Sequence, residues 1–335
     1  MKAIAVVMIF GAAAGALGGE EAAGKLPSGP GLSAKYPGDE GIGKDPAVVF
    51  SESFESGTIR EIQKRWTLAH GTQGHAISEN VPGTGSGRRS YSMTCHIGKQ
   101  AGGYLYQLFD RQLDTTYLRY YIKFAPDHAY QHHSVCLGGY NPPLRWPHPR
   151  AGSRPAGNER VLVVMDPVGW YGRFPPMGAW TLYTYWREMK ASADGYYWGN
   201  CIQPAKDMQC PRGRWVCVET MIRLNDPAKR DGELALWIDG RPVVHVDGKT
   251  RRGPWSGMGF KVAAEGGEPL GGLRLRTDAA LKVNHLWLQH DVSIGAQTMN
   301  KVKAPHVEGN TVWFDDIVVG REYIGPVRPR DGGGK

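Results

Sequence analysis

The chain has 335 residues, 41% hydrophobic and 21% charged, so it can bury a core, and a wholly disordered chain is excluded. The formal net charge of +8 favours an anionic partner. Nucleic acid, an anionic membrane surface and an acidic polysaccharide all fit that charge, and without a Lys/Arg run or a recognised nucleic-acid motif, nucleic acid is the weakest of the three.

Lys2, an apolar run over 3–14 and the small residues Ala16, Gly18 and Gly19 form a secretory signal peptide over residues 1–18. The run is too short for an anchor, so the protein is expected to be secreted or periplasmic, without membrane insertion. Residues 19–46, rich in Gly and Pro, are expected to be a disordered linker or a segment wrapping the surface. One domain is expected over 47–327, with a loose tail at 328–335.

From 48 onward, short β-branched and aromatic runs alternate with turn residues. Strands are predicted at 48–54, 90–97, 104–109, 116–124, 134–140, 160–166, 180–190, 215–224, 233–240, 242–247, 284–292 and 311–319. Asp239-Gly240 marks a hairpin. No helix and no repeat period stands out. About a dozen strands in one domain give an all-β fold, a two-sheet antiparallel β-sandwich. Long loops at 141–158, 167–179 and 250–270 carry Trp146, Trp170, Tyr171 and Phe174, which could rim a groove or anchor the loops.

Strand parity supplies the candidate site. In 180–190, Thr181, Tyr183, Tyr185 and Arg187 share one face. The YYWGN run after it adds Trp198 and Asn200. In 116–124, Leu118, Tyr120, Ile122 and Phe124 face the core, leaving Tyr117, Arg119, Tyr121 and Lys123 outside. In 215–224 the outward residues include Glu219, and in 284–292 they are His285, Trp287, Gln289 and Asp291. If these strands share one sheet, the outward face is an aromatic, cationic, hydrogen-bonding floor. Rings suit the C–H faces of a sugar, and Arg or Lys suits its carboxylate.

The segments WVCVETMIRLNDPAKRDGELALWIDGRPV and VWFDDIVVGREYIGP, with Trp215, Glu219, Asn225, Trp237 and Asp239-Gly240, resemble the concanavalin A-like jelly-roll proteins of the polysaccharide-lyase type, alginate and glucuronan lyases above all. The resemblance implies a concave sheet forming a carbohydrate cleft. It also implies a Gln/His pair on one strand, for which Gln289 and His290 would stand, and a Tyr with a basic residue on another, for which Tyr185 and Arg187 would stand. The arginine-rich first-strand motif of alginate lyases is not evident, nor is the E-x-D-x-E carboxylate pair of laminarinase-like hydrolases.

β-Elimination from a uronate needs a base near C5, an acid near the leaving oxygen and a neutralised carboxylate. Tyr185, Tyr183, His133 and His290 are the acid and base candidates; Arg119, Arg187 and Gln289 are the neutralisers. Tyr121, Lys123, Trp198, Asn200, Glu219 and Trp287 are expected to bind substrate. His128 and His132 have i, i+4 spacing without a full ligand set, so no transition-metal site is predicted. No cofactor is required, although Ca²⁺ could serve structurally. Of the five cysteines, Cys201 and Cys210 flank a short loop and are the expected disulfide. Three readings stand: a lyase, a glycoside hydrolase using Glu219 with Glu188, and a non-catalytic carbohydrate-binding protein.

Overall fold

The computed structural model describes residues 26–99, 102–256 and 258–330. The strands are β1 (Val48–Glu52), β2 (Leu68–His70), β3 (His75–Ser78), β4 (Ser90–Cys95), β5 (Gly103–Leu113) and β6 (Thr115–Phe124). After them come β7 (His133–Tyr140), β8 (Arg160–Val168), β9 (Ala179–Tyr185), β10 (Asn200–Gln203), β11 (Val216–Arg223) and β12 (Glu233–Ile238). The remainder are β13 (Arg241–Val246), β14 (Arg251–Arg252), β15 (Gly259–Lys261), β16 (Glu268–Pro269), β17 (Val283–Asp291) and β18 (Asn310–Gly320).

They build two eight-stranded sheets and a small β14–β16 ribbon. The front sheet runs β15-β10-β9-β8-β7-β17-β5-β2. The back sheet runs β13-β12-β11-β6-β18-β4-β3, with β1 added on β18. Pairing is antiparallel except between β10 and β15. The fold is thus the two-sheet antiparallel sandwich expected from the strand pattern.

Alternation decides what lies between the sheets. Leu118, Tyr120, Ile122 and Phe124 of β6 and Val216, Val218 and Ile222 of β11 are buried there. Across from them lie Val135 and Leu137 of β7, Leu182 of β9, and Leu286 and Leu288 of β17. Each fully buried Leu or Val contributes about 1.5–3 kcal/mol.

Sheet membership differs from the expectation of one shared floor. β6 and β11 belong to the back sheet, β9 and β17 to the front. The outward residues of these strands therefore lie on opposite sides of the molecule.

The back sheet's outer face is covered by the two chain ends. Residues 26–46 form three short 3-10 turns, Leu32–Lys35, Pro37–Asp39 and Ile42–Lys44, pressed onto the sheet rather than a disordered linker. Their low-complexity look hides two anchors: Leu32 and Ile42 pack with Val48, Val318 and Ile324. The ends also bind each other, Leu32 N–H donating to the Tyr323 carbonyl at 3.0 Å. Gly31 is required at that contact, since a Cβ would meet the Tyr323 oxygen at 2.5 Å. The signal-peptide residues and 331–335 lie outside the described residues.

Two short helices escaped the sequence reading because they are too brief to show a period. α1 (Ile59–Arg65) starts from a capping box of Thr58 and Glu61, and α2 (Ile294–Met299) from a Ser293 cap. Asp239-Gly240 does join β12 to β13, both residues at positive φ as a type I′ turn needs. The expected Cys201–Cys210 disulfide is absent: all five cysteines are free and buried. Cys201 is held on β10 inside the sheet, and both thiols serve as packed apolar groups. Among the described residues no helix is long and apolar enough to cross a membrane.

Candidate functional site

The front sheet's outer face is organised in registered rows. One row runs Tyr183, Val164, Cys136, Trp287, Tyr106 across five strands. The next runs Tyr185, Leu162, Gly138, His285, Leu108. Smaller side chains at the centre and rings toward either side make a trough. The 141–158 loop closes one part of it: Leu144 accepts a hydrogen bond from Tyr106 Oη (2.9 Å), and His148 N–H donates to Tyr140 Oη (2.9 Å). Beneath that loop, His285 is fully buried and stacked on Tyr140 at 4.6 Å.

The trough stays open where β7, β8 and β9 meet, as a pocket of about 340 Å³. His133, Asp166, Tyr183 and Tyr185 line it, with Trp198 and the α2 end at Met299 and Asn300 as walls. His133 is the first residue of β7, where a strand entry points its ring outward. Its Nδ1 lies 3.0 Å from Asp166 Oδ2. The other Asp166 oxygen accepts the Ser134 N–H at 2.7 Å. In the tautomer that donates Nδ1–H to this carboxylate, Nε2 carries the ring's lone pair.

Tyr183 lies 5.2 Å from His133, ring centre to ring centre, and 5.7 Å from Tyr185. Its ring covers Gly199, where a Cβ would come within 2.2 Å. Burial pushes both phenols above their ordinary range. For Tyr185 that effect is opposed by hydrogen bonds from Tyr183 and from the backbone at Gly199 and Gly152. Both therefore hold their protons at neutral pH, Tyr185 with the better-supported phenolate.

His132 stacks on His133 at 4.4 Å and lies 3.3 Å from Asp291. The Asp291 hydrogen bond raises its pKa against the opposing effect of burial, favouring the imidazolium. Gln131 donates to the His133 carbonyl at 2.6 Å, and its buried Oε1 has no partner among the described residues. No Lys or Arg is among the pocket's lining residues, so His132 is its cationic group.

Of the residues predicted from sequence, the pocket brings together His133, Tyr183, Tyr185 and Trp198. Trp287 and Gln289 are on the same sheet face, Gln289 opposite Tyr104, outside the pocket lining. The other candidates require correction.

Arg119, Tyr121, Lys123 and Glu219 are on the back sheet, because β6 and β11 pair there. Arg119 is fully buried, ion-paired with Asp39 and donating to the Asp316 carbonyl. Tyr121 Oη accepts from Val327 N–H (3.1 Å), and Glu219 accepts from Ile324 and Gly325 N–H (2.7 and 2.8 Å), so both secure the C-terminal segment. Lys123 donates to Asn80 Oδ1 at 3.1 Å. Arg187 lies beyond the end of β9 and lines a different cavity with Glu188. Asn200 is buried and clasps the Lys190 backbone (2.8 and 3.0 Å). His290 is buried, with Nε2 on the Asn310 carbonyl (2.9 Å), and burial lowers its pKa to about 4.

Asp166, His132 and Gln131 were missed. Their sequence trace was slight: an acidic residue ending RVLVVMD, and a polar QHH run entering β7. Among the described residues no group of three His, Cys, Asp or Glu side chains converges on a metal-binding arrangement. His128 packs instead against Phe124 and His290.

Comparison with solved structures shows the same architecture. The alginate lyase Aly36B is 14% identical, with a TM-score of 0.52, covering 85% of this chain and 99% of that one. The fold is a jelly roll shared with this alginate lyase. The PL-14 alginate lyase from Aplysia kurodai superposes with a TM-score of 0.52 at 13% identity, covering 81% of this jelly roll and 98% of its own chain. The alginate lyase vAL-1 from Chlorella virus gives 0.51 at 10% identity, with coverages of 82% and 99%. No protein-family model and no curated sequence matches. In this jelly roll the pocket lies on the front sheet, while the back sheet is closed by the chain ends.

Proposed function

We propose that the protein is a polysaccharide lyase that cleaves an acidic polysaccharide by β-elimination in the front-sheet trough. The reading is carried by the His133–Asp166 pair, which faces two protonated tyrosines in one pocket. An imidazole oriented by a carboxylate and a protonated phenol at one site match the two proton transfers of the reaction. The alginate lyases of the same fold support a uronate-containing substrate.

His133 Nε2 takes the proton on C5. The electrons of that C–H bond form the C4=C5 double bond as the C4–O bond breaks. Tyr185 gives its proton to the departing oxygen, with Tyr183 hydrogen-bonded beside it. The His132 imidazolium stands by the uronate carboxylate and offsets the charge that builds there. No cofactor is called for, and the secretion expected from the sequence would suit a polymeric substrate. Ultraviolet absorbance of the unsaturated product, measured alongside reducing ends over a panel of alginate, glucuronan, pectin and glycosaminoglycans, tests the reaction. Reducing ends without unsaturation would mean hydrolysis, and binding without either would mean a non-catalytic protein.

The positions of Glu219 and Glu188 speak against hydrolysis through that pair. Glu219 is buried under the C-terminal segment on the back sheet, and Glu188 pairs with Arg230 in the lining of a separate cavity.

A further inference from the structure

Beside the trough lies a second cavity of about 610 Å³, within the usual size of ligand sites. Six cations line it: Arg154, Arg187, Lys190, Arg230, Arg252 and Arg274. Glu188 is the acidic residue in its lining. We propose that this cavity is a binding site for an anionic sugar unit, carboxylated or sulfated, of the same polymer that occupies the trough. The proposal rests on the polysaccharide reading above and adds to it the site that recognises charge.

Two of the cations are already committed. Arg230 pairs with Glu188 and donates through Nε to the Gly271 carbonyl at 2.7 Å, tying two loops together. Arg252 pairs with Glu268 at 2.7 Å. Among the described residues no carboxylate pairs with Arg154, Arg187, Lys190 or Arg274. Arg274 has its Nε buried without a partner. Like charges gathered around one cavity repel, and an anion in their midst relieves that repulsion.

The aromatic walls reinforce the preference for charge. Lys190 lies over the Trp255 ring at 4.8 Å and Arg154 over Tyr197 at 5.4 Å. Cations therefore occupy faces on which a neutral sugar would stack, and a ligand meets guanidinium and ammonium groups there.

The two cavities share a wall. Tyr197 N–H donates to the Gly152 carbonyl at 3.0 Å. On one side of this bridge, Ala151 and Trp198 line the pocket of His133; on the other, Arg154 and Tyr197 line the basic cavity. The 252–258 loop does the same, giving Trp255 to one and Met258 to the other. A polymer crossing the bridge would place one unit against the acid–base pair and another among the cations. The trough pocket has no Arg or Lys in its lining, and the neighbouring cavity supplies them.

The test measures binding by the full-length protein in a His133→Ala background, where turnover is removed. The probes are an alginate tetrasaccharide, a carrageenan tetrasaccharide and cellotetraose, by titration calorimetry at low and high salt. The expected result is binding of at least one anionic probe, weakened about tenfold by Arg187→Ala with Arg154→Ala, retained by Arg187→Lys, and reduced by salt. The alginate and carrageenan arms separate carboxylate from sulfate recognition. With His133 intact, the same Arg variants are expected to raise KM about tenfold and leave kcat unchanged. Unchanged affinity in the Arg variants, or equal binding of cellotetraose, overturns the site while leaving the trough chemistry standing. Cation-dependent binding with no turnover on any substrate overturns the lyase reading and leaves the site.

Discussion

His133 on β7 and Asp166 on β8 are joined side chain to side chain at 3.0 Å, and the same Asp166 carboxylate takes the Ser134 N–H. One buried acid thus fixes both the base and the strand entry that carries it. Replacing Asp166 with Asn keeps an acceptor for Ser134 but turns an N–H toward Nδ1. The ring proton then moves to Nε2 and the base is lost. Initial rates of product unsaturation are expected to fall about 100-fold for Asp166→Asn, with an unaltered melting temperature. An unchanged kcat would remove this pair from the mechanism.

The two phenols are expected to differ. With Tyr185 as the proposed proton donor and Tyr183 as its support, Tyr185→Phe should lower kcat about 100-fold and Tyr183→Phe considerably less. Because burial holds the Tyr185 phenol above its ordinary value of 10.0, its ionisation should cost no activity at neutral or mildly alkaline pH. A pH–rate profile of the wild type that falls below pH 9, and is flattened there by Tyr183→Phe, would reassign the acid.

Glu219 sets a pH dependence of stability. Burial raises its pKa from 4.5 to about 7, against the two backbone hydrogen bonds and Arg119 that favour the ionised form. The folded state therefore binds the proton more tightly than the unfolded chain. The stabilising contribution is complete below pH 4.5 and disappears as pH rises through about 7. It amounts to about 3 kcal/mol. Denaturant unfolding of wild type and Glu219→Gln across that range should show the difference, the variant having the flatter profile. Parallel profiles would disprove it.

The cysteines should behave as packed thiols. Burial pushes Cys136, Cys201, Cys210 and Cys217 upward, away from the reactive thiolate. Thiol reagent is expected to label none of them quickly in the native protein and all five after denaturation, and reductant should leave the melting temperature unchanged. Fewer than five thiols in the denatured chain would mean a disulfide.

What the sequence displays and what it conceals follow from the range of each interaction. Alternation is local, so Leu118, Val218 and Leu286 could be assigned to the interior from their own strands. Sheet partnership is not local: β6 pairs with β18, and Arg119 registers with Val318 far along the chain. Parity says that Arg119 and Tyr185 each point outward, and is silent on which outside. Both outer faces are rich in rings and charges, one to line a trough and one to bind the chain's own ends. Glu219 illustrates the ambiguity, since a carboxylate clasping two backbone amides has the same letter as a catalytic acid. Asp166 and His132 gained their meaning only through neighbours on other strands.

The strap over the back sheet also fixes where the molecule can be held. Leu26 packs beside Met221, Trp237 and Tyr323, and Val327 beside Tyr121 and Cys217, so the first and last stretches of the described residues lie on the side away from His133. A handle or a partner module joined directly at Leu26 or Val327 would meet the back of the sandwich, leaving the His133 pocket open to a bulky polymer.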